Sequence, residues 1–145
     1  FGPAHYVTTT KKLMDAGSLA ELDISMILLK YPDDIRKAWG KKKYQEEMDY
    51  IVSYQKRNQF ITNLALDQDG NTLVLFQYVE KHGKPLYNMI KDLRKSDNGQ
   101  ATKLFDLADD LHWKARKNYT LQHAAERMKI YGKEKFKYSI YEVDI

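Results

Sequence analysis

Asn71–Asp92, NTLVLFQYVEKHGKPLYNMIKD, is the stretch whose pattern sets the fold class. Thr72–Val79 is a nearly unbroken apolar run of strand length, as expected for an interior strand of a parallel sheet with both faces covered. Glu80–Lys84 interrupts it with polar residues and a glycine. Leu86, Met89, Ile90 and Leu93 then fall at i, i+3, i+4 and i+7, the stripe of an amphipathic helix. Pro85 stands in the first turn, where its missing N–H costs nothing. A strand feeding a helix that returns across it is half of a βαβ unit.

Toward the N-terminus, Asp67–Asn71 reads as a turn into that strand. Tyr44–Leu66 has helical patterning, with Met48, Ile51, Val52 and Gln55 on one stripe and Phe60, Ile61, Leu64 and Ala65 on another; the polar group Gln55–Gln59 is where it bends or breaks. Asp33–Gly40 reads as a short helix followed by the basic loop Lys41–Lys43. Leu22–Leu29, LDISMILL, is a second apolar strand, ended by the Tyr31-Pro32 step. Lys11–Ala16 is a helical turn capped by Thr8–Thr10 and closed by Gly17, and Ala4–Thr8 has a short strand pattern. Toward the C-terminus, Lys95–Gln100 is a loop by composition and Ala101–Leu107 a third strand. Trp113–Asn118 is basic and reads as either loop or helix. Thr120 caps a helix over Leu121–Tyr131 with Ala124, Ala125, Met128 and Tyr131 inward, and Gly132 ends it. Phe136–Val143 alternates and reads as an edge strand with one wet face. Mixed strands and helices of this kind give an α/β class, a mainly parallel sheet flanked by helices.

The 145 residues suit one domain, or one and a piece, and 43% apolar residues suffice for a core. With no cysteine, neither a disulfide framework nor a thiolate zinc site is available. A net charge of +4 and a pI near 9.0 permit a phosphate-bearing partner without requiring one. No apolar run approaches the roughly 18–20 residues of a membrane span, and the opening residues carry no signal-peptide pattern. A chain that opens on FGPAHYV, without Met, reads as cut from a longer one.

No catalytic motif is present: no G-x-x-x-x-G-K-[ST], no G-x-G-x-x-G and no H-E-x-x-H. Asp106, Asp109, Asp110 and His112 have the chemistry of a divalent-metal nuclease site. No second acidic cluster completes it, and polar residues collect where a parallel strand's C-terminal end meets solvent, so they are read as strand-end residues with no metal assigned. The basic groups Lys41–Lys43, Lys56-Arg57 and Lys114–Lys117 are read as solvated surface, with a nucleic-acid face as the alternative.

The segments FGPAHYVTTTKKLMDAGSLAELDI, KYQEEMDYIVSYQKRNQFITNLAL, NTLVLFQYVEKHGKPLYNMI and LRKSDNGQATKLFDLADDL through YGKEKFKYSIYEV together resemble the C-terminal part of superfamily 2 DNA helicases of the phage UvsW type. The resemblance implies a partial RecA-like domain, with residues 1–30 closing a first RecA-like domain and connecting it to a partial second one over 31–145. It also implies ATP-driven translocation on DNA, remodelling branched or duplex structures in the cytoplasm, that of the host cell for a phage-encoded protein. ATP and Mg²⁺ would be cofactors of the parent helicase, held with the first domain and not by this chain alone. Arg94 matches the final arginine of the family's motif VI, where a guanidinium stabilises the transferring phosphoryl group. DNA contacts are expected at His82 and Lys84, in the turn after the motif IV strand, and at Lys114, Arg116 and Lys117. The chain departs from the family pattern where Asp92 runs straight into Leu93-Arg94-Lys95: motif V and the start of motif VI are absent there, through a deletion or a segment omitted near 92–93. A non-catalytic DNA-binding or protein-interaction remnant of a helicase is the alternative, with the metal nuclease a distant third.

Overall fold

Asp23–Lys30 (β1), DISMILLK, is the centre of a three-stranded parallel sheet. Every one of its eight residues is paired on both sides, from Asp23 opposite Lys103 and Lys137 to Lys30 opposite Asp110 and Asp144. Its neighbours are Lys103–Asp110 (β2) and Lys137–Asp144 (β3). A strand flanked on both edges and covered on its faces has to be apolar, and Ile24, Met26, Ile27 and Leu29 are all buried. The computed structural model describes residues 10–18, 22–39, 42–68, 73–75, 78–91 and 103–145. The strand reading at Ala4–Thr8, the loop Lys95–Gln100, Arg94 and the join near 92–93 lie outside them.

The helices follow in order: Thr10–Asp15 (α1), Asp33–Trp39 (α2), Tyr44–Ser53 (α3), Gln55–Leu66 (α4), Lys84–Ile90 (α5) and Tyr119–Glu134 (α6). A wide π-helical turn, Val79–Gly83, leads directly into α5. Gly17 closes the segment after α1 with a positive φ of 70°, its N–H on Met14 and that of Ser18 on Leu13, the left-handed closure that favours glycine. The long helical pattern is broken at Tyr54, whose ψ of 112° leaves the helical region, so α3 and α4 meet at an angle.

Two apolar clusters hold the layers together. On one face of the sheet Met26 and Ala108 pack against Ala124 of α6, with Leu28, Met128 and Tyr131 around them. The small Ala108 and Ala124 let the helix approach the strands closely. Beyond the C-terminal ends of the strands, Tyr31, Ile51 and Leu111 form a second cluster with Ile35, Trp39, Tyr50, Tyr54 and Ile145. There Trp39 stacks on Tyr50 at 4.1 Å, and Tyr54 lies 4.9 Å from Tyr31.

A buried carboxylate joins these layers. Glu47 of α3 accepts the backbone N–H groups of Tyr119 (3.0 Å) and Thr120 (3.3 Å), two donors that the start of α6 leaves without a helical partner. It also accepts Asn118 Nδ2 at 3.0 Å, and Asn118 in turn bonds the Asp109 carbonyl and the Leu111 N–H. The end of β2, α3 and the start of α6 are thereby locked as one unit.

Several expectations are corrected. The run Thr72–Val79 is not the central strand: Leu73, Val74 and Leu75 form no strand, and Leu73 and Leu75 are 83% and 81% exposed. Both of β1's edges are taken by β2 and β3, so no position beside it remains for a second apolar run. Helix α5 packs chiefly on α4 and the π-turn rather than across the sheet. Helix α6 runs through Gly132 to Glu134 and ends at Lys135, whose φ of 59° supplies the left-handed closure; a glycine inside a helix costs only about 1 kcal/mol against alanine. Strand β3 is an edge strand as read, but residues on both of its faces, Tyr138, Ile140 and Tyr141, are exposed among the described residues.

Placing a charge at Met26, 0% exposed, buries it without a partner at a cost of several kcal/mol. Met26→Asp is therefore expected to abolish cooperative unfolding, while Leu75→Asp shifts stability by no more than about 0.5 kcal/mol. Chemical denaturation followed by far-UV circular dichroism separates the two; loss of folding in Leu75→Asp would return that run to the core.

Candidate functional site

Ligands of parallel sheets gather beyond the C-terminal ends of the strands. There β1 runs out into Tyr31 and β2 into Asp109, Asp110, Leu111 and His112. Asp109, 2% exposed, accepts the Tyr31 hydroxyl at 2.8 Å and the Arg57 Nε–H at 2.6 Å on the same oxygen. Arg57 Nη1 lies 3.1 Å from His82 Nε2. Four side chains from β1's end, β2, α4 and the π-turn thus form one buried chain of hydrogen bonds.

Local structure aims each of them. Tyr54 breaks the helix, and the Asn58 side chain donates back to the Val52 carbonyl at 2.9 Å, fixing α4 so that Arg57 turns inward. The N–H groups of His82 and Gly83 both reach the Tyr78 carbonyl, the widened turn that presents His82 to Arg57. Burial, and then the Asp109 charge, push the Tyr31 phenol far above its ordinary value, so it is a permanent donor. Burial, and then the Arg57 charge, lower His82 to about 4, with Asp109 opposing. His82 is therefore a neutral acceptor for Arg57 at neutral pH, with its proton on Nδ1.

Alongside β2 these groups open onto a cavity of about 210 Å³, whose wall includes Met48, Val52, Arg57, His82, His123 and Arg127. Arg127 reaches Asp106 through Nε at 2.8 Å, and Tyr131 donates to the same carboxylate at 2.7 Å. Burial and that hydrogen bond push the Tyr131 phenol up to about 12.

The acidic residues of β2 do not converge. Asp106 turns to Arg127 and Tyr131, Asp109 to Arg57 and Tyr31, and Asp110 to His112. Among the described residues no group of three or more His, Asp or Glu could hold a metal ion. Lys114, Arg116 and Lys117 are exposed on one tight turn just past β2, where Trp113 and Arg116 exchange backbone hydrogen bonds and Lys114 has a φ of 55°. Lys84 opens α5, exposed and paired with Glu80 at 2.7 Å. His82 is 6% exposed and faces Arg57, so it is not presented to a partner as the sequence reading expects. Arg57, read as surface with Lys56, is also buried, at 8% exposure. Its position carried the signal: Arg57, Ile61, Leu64 and Ala65 lie at i, i+4, i+7 and i+8, one stripe of α4.

Because the folded pKa of His82 lies below the ordinary 6.5, the unfolded chain takes up the proton first on acidification. The stability contributed by the neutral ring is complete above about pH 6.5 and is lost as pH falls toward about 4. Urea unfolding across that window should show this acid limb, and His82→Gln, which keeps an acceptor for Arg57 without titrating there, should flatten it. An undiminished limb in His82→Gln would assign it to another group.

No protein-family model matches the chain. It is 40% identical over 95 residues to the ATP-dependent DNA helicase UvsW of Enterobacteria phage T4, a match over 63% of this chain and 19% of that protein. The crystal structure of T4 UvsW covers 95% of this chain with a TM-score of 0.74, at 23% identity and over 42% of its own length. The chain is thus similar in sequence over 95 residues to a UvsW-type DNA helicase and shares its fold, and the match spans about a fifth of the curated protein's length.

Proposed function

We propose that this chain is the C-terminal portion of an ATP-dependent DNA helicase that translocates on and remodels branched or duplex DNA. The observation that carries the reading is the 40% identity over 95 residues with a protein named for that activity. The division of the chain, with residues 1–30 as the end of a first RecA-like domain and its connection, belongs to the same proposal.

In this reading ATP and Mg²⁺ are not held by this chain alone. The phosphate-loop motif is absent from the sequence, and among the described residues no cluster of three acids or histidines could take a metal ion. In this reading those groups belong to a partner domain, and Arg94 reaches the nucleotide from the second domain as a charge-stabilising arginine. The chain mixed with ATP, Mg²⁺ and DNA is expected to show no turnover above buffer. Turnover by the isolated chain would overturn that division of labour. In a longer protein carrying the phosphate loop, Arg94→Ala should lower turnover far more than nucleotide affinity.

The DNA contacts proposed are Lys114, Arg116 and Lys117, with Lys84 in support. A motor that must move over any sequence holds the phosphodiester backbone rather than the bases. Three cations exposed on one turn at the C-terminal end of β2 suit that task. Binding should be indifferent to sequence and fall steeply with salt. Replacing all three by Gln should reduce the salt slope by up to about three phosphate contacts. A fluorescence titration in which the triple variant keeps the parent's slope would move the DNA face elsewhere.

A further inference from the structure

The outer edge of β3 is a surface that the described elements leave open. Ile145 donates its N–H to the Lys30 carbonyl. Backbone groups alternate in direction along a strand, so the odd-numbered residues of β3 face β1. Tyr138, Ile140, Glu142 and Asp144 turn their N–H and C=O groups outward. No described strand pairs with that edge. The devices that usually blunt an edge are missing from it: Lys137–Asp144 has no proline, its register on β1 has no bulge, and its middle, Tyr138–Tyr141, has no charge. Both faces of that middle are apolar and half exposed. Ile140 (50%) stands opposite Met26, on the α6 side of the sheet, and Tyr141 (52%) on the other side.

Charge along the strand selects what fits there. Lys135 and Lys137 stand at its start, Glu142 and Asp144 at its end. A second copy running antiparallel sets the basic start of each strand beside the acidic end of the other, whereas a parallel strand of the same sequence would set like beside like. A two-fold axis normal to the sheet gives this arrangement and keeps each face on its own side. With the axis at Ile140, Ile140 meets its own copy, Tyr138 meets Glu142, and Ser139 meets Tyr141. Moving the axis to Glu142 would set two carboxylates directly opposite, which is destabilising. Within each protomer Glu142 keeps Lys30 and Lys137 keeps Asp23, so charge sets the direction while backbone bonds and apolar burial hold the contact. We propose that this chain forms a two-fold dimer through β3, the outward N–H and C=O groups of Tyr138, Ile140 and Glu142 pairing with those of a second copy to make one continuous sheet. The contact is small, so the dimer depends on concentration. It does not rest on the helicase reading.

Sedimentation equilibrium of the full chain over a range of concentrations is expected to show a reversible species of twice 17.1 kDa. Ile140→Lys brings two like charges together at the axis and should weaken association at least about tenfold. At a half-exposed position it should leave the thermal transition of the monomer in place. Hydrogen exchange supplies a second readout and decides the matter if that variant fails to fold. In the dilute monomer the amides of Ser139, Tyr141 and Val143 are protected by β1, while those of Tyr138, Ile140 and Glu142 exchange freely. The latter three are expected to gain protection as concentration rises. A chain that stays monomeric with those amides open overturns the dimer. So does protection of them at every concentration, which would mean that other residues of the same chain cover the edge. A dimer that Ile140→Lys leaves intact would likewise place the interface elsewhere and overturn this one.

Discussion

One residue, Asp109, ties most of this structure together. Its carboxylate accepts from the end of β1 through Tyr31 and from α4 through Arg57. Its carbonyl accepts Asn118 Nδ2 and the Thr120 hydroxyl at the start of α6. A buried charge of this kind is tolerated because every donor around it is in place, and removing one partner typically costs about 3–5 kcal/mol. Such a hub adds specificity of arrangement more than raw stability. It allows one way of seating α4 and the π-turn against the sheet, because only one keeps Arg57 between Asp109 and His82.

That arrangement also explains why the cavity and the basic turn lie where they do. Asn118 bonds the Leu111 N–H and the Asp109 carbonyl, so the chain leaving β2 must double back within a few residues. The turn over Trp113–Arg116 is the result, and it lifts Lys114, Arg116 and Lys117 into solvent while Leu111 and Asn118 beside them are buried. The exposed cations and the buried guanidinium are thus products of one hydrogen-bonded frame.

Much of the architecture was legible in the sequence because apolar periodicity reports burial. The strands read at 22–29, 101–107 and 136–143 and the C-terminal helix follow from it, and they stand in the structure at 23–30, 103–110, 137–144 and 119–134. Rank within the sheet does not. LDISMILL and TLVLFQYV have the same signature, and only pairing partners far along the chain decide which is central. The site was less legible for a related reason. Arg57 and His82 look like surface residues by type, and their burial depends on Asp109, distant in sequence from both. The placement of Arg57 on an apolar stripe was the one local clue. The acidic residues of β2 misled in the opposite direction: each is engaged by a different partner, Asp106 by Arg127, Asp109 by Arg57 and Asp110 by His112.

The two-sided pairing of β1 also bears on how the chain folds. Its partners lie far along the sequence, Asp23 meeting Lys103 and Lys137. Long loops must close before any of that pairing is rewarded, and topologies dominated by such contacts fold slowly. The local helices α3, α4 and α6 can form early, while the most apolar segment waits for its neighbours. During that interval DISMILLK is an unpaired apolar strand with two free edges, the kind of segment that recruits foreign strands. Residues 23–30 are thus both the most stabilising part of the finished sheet and its chief hazard before the last strand arrives.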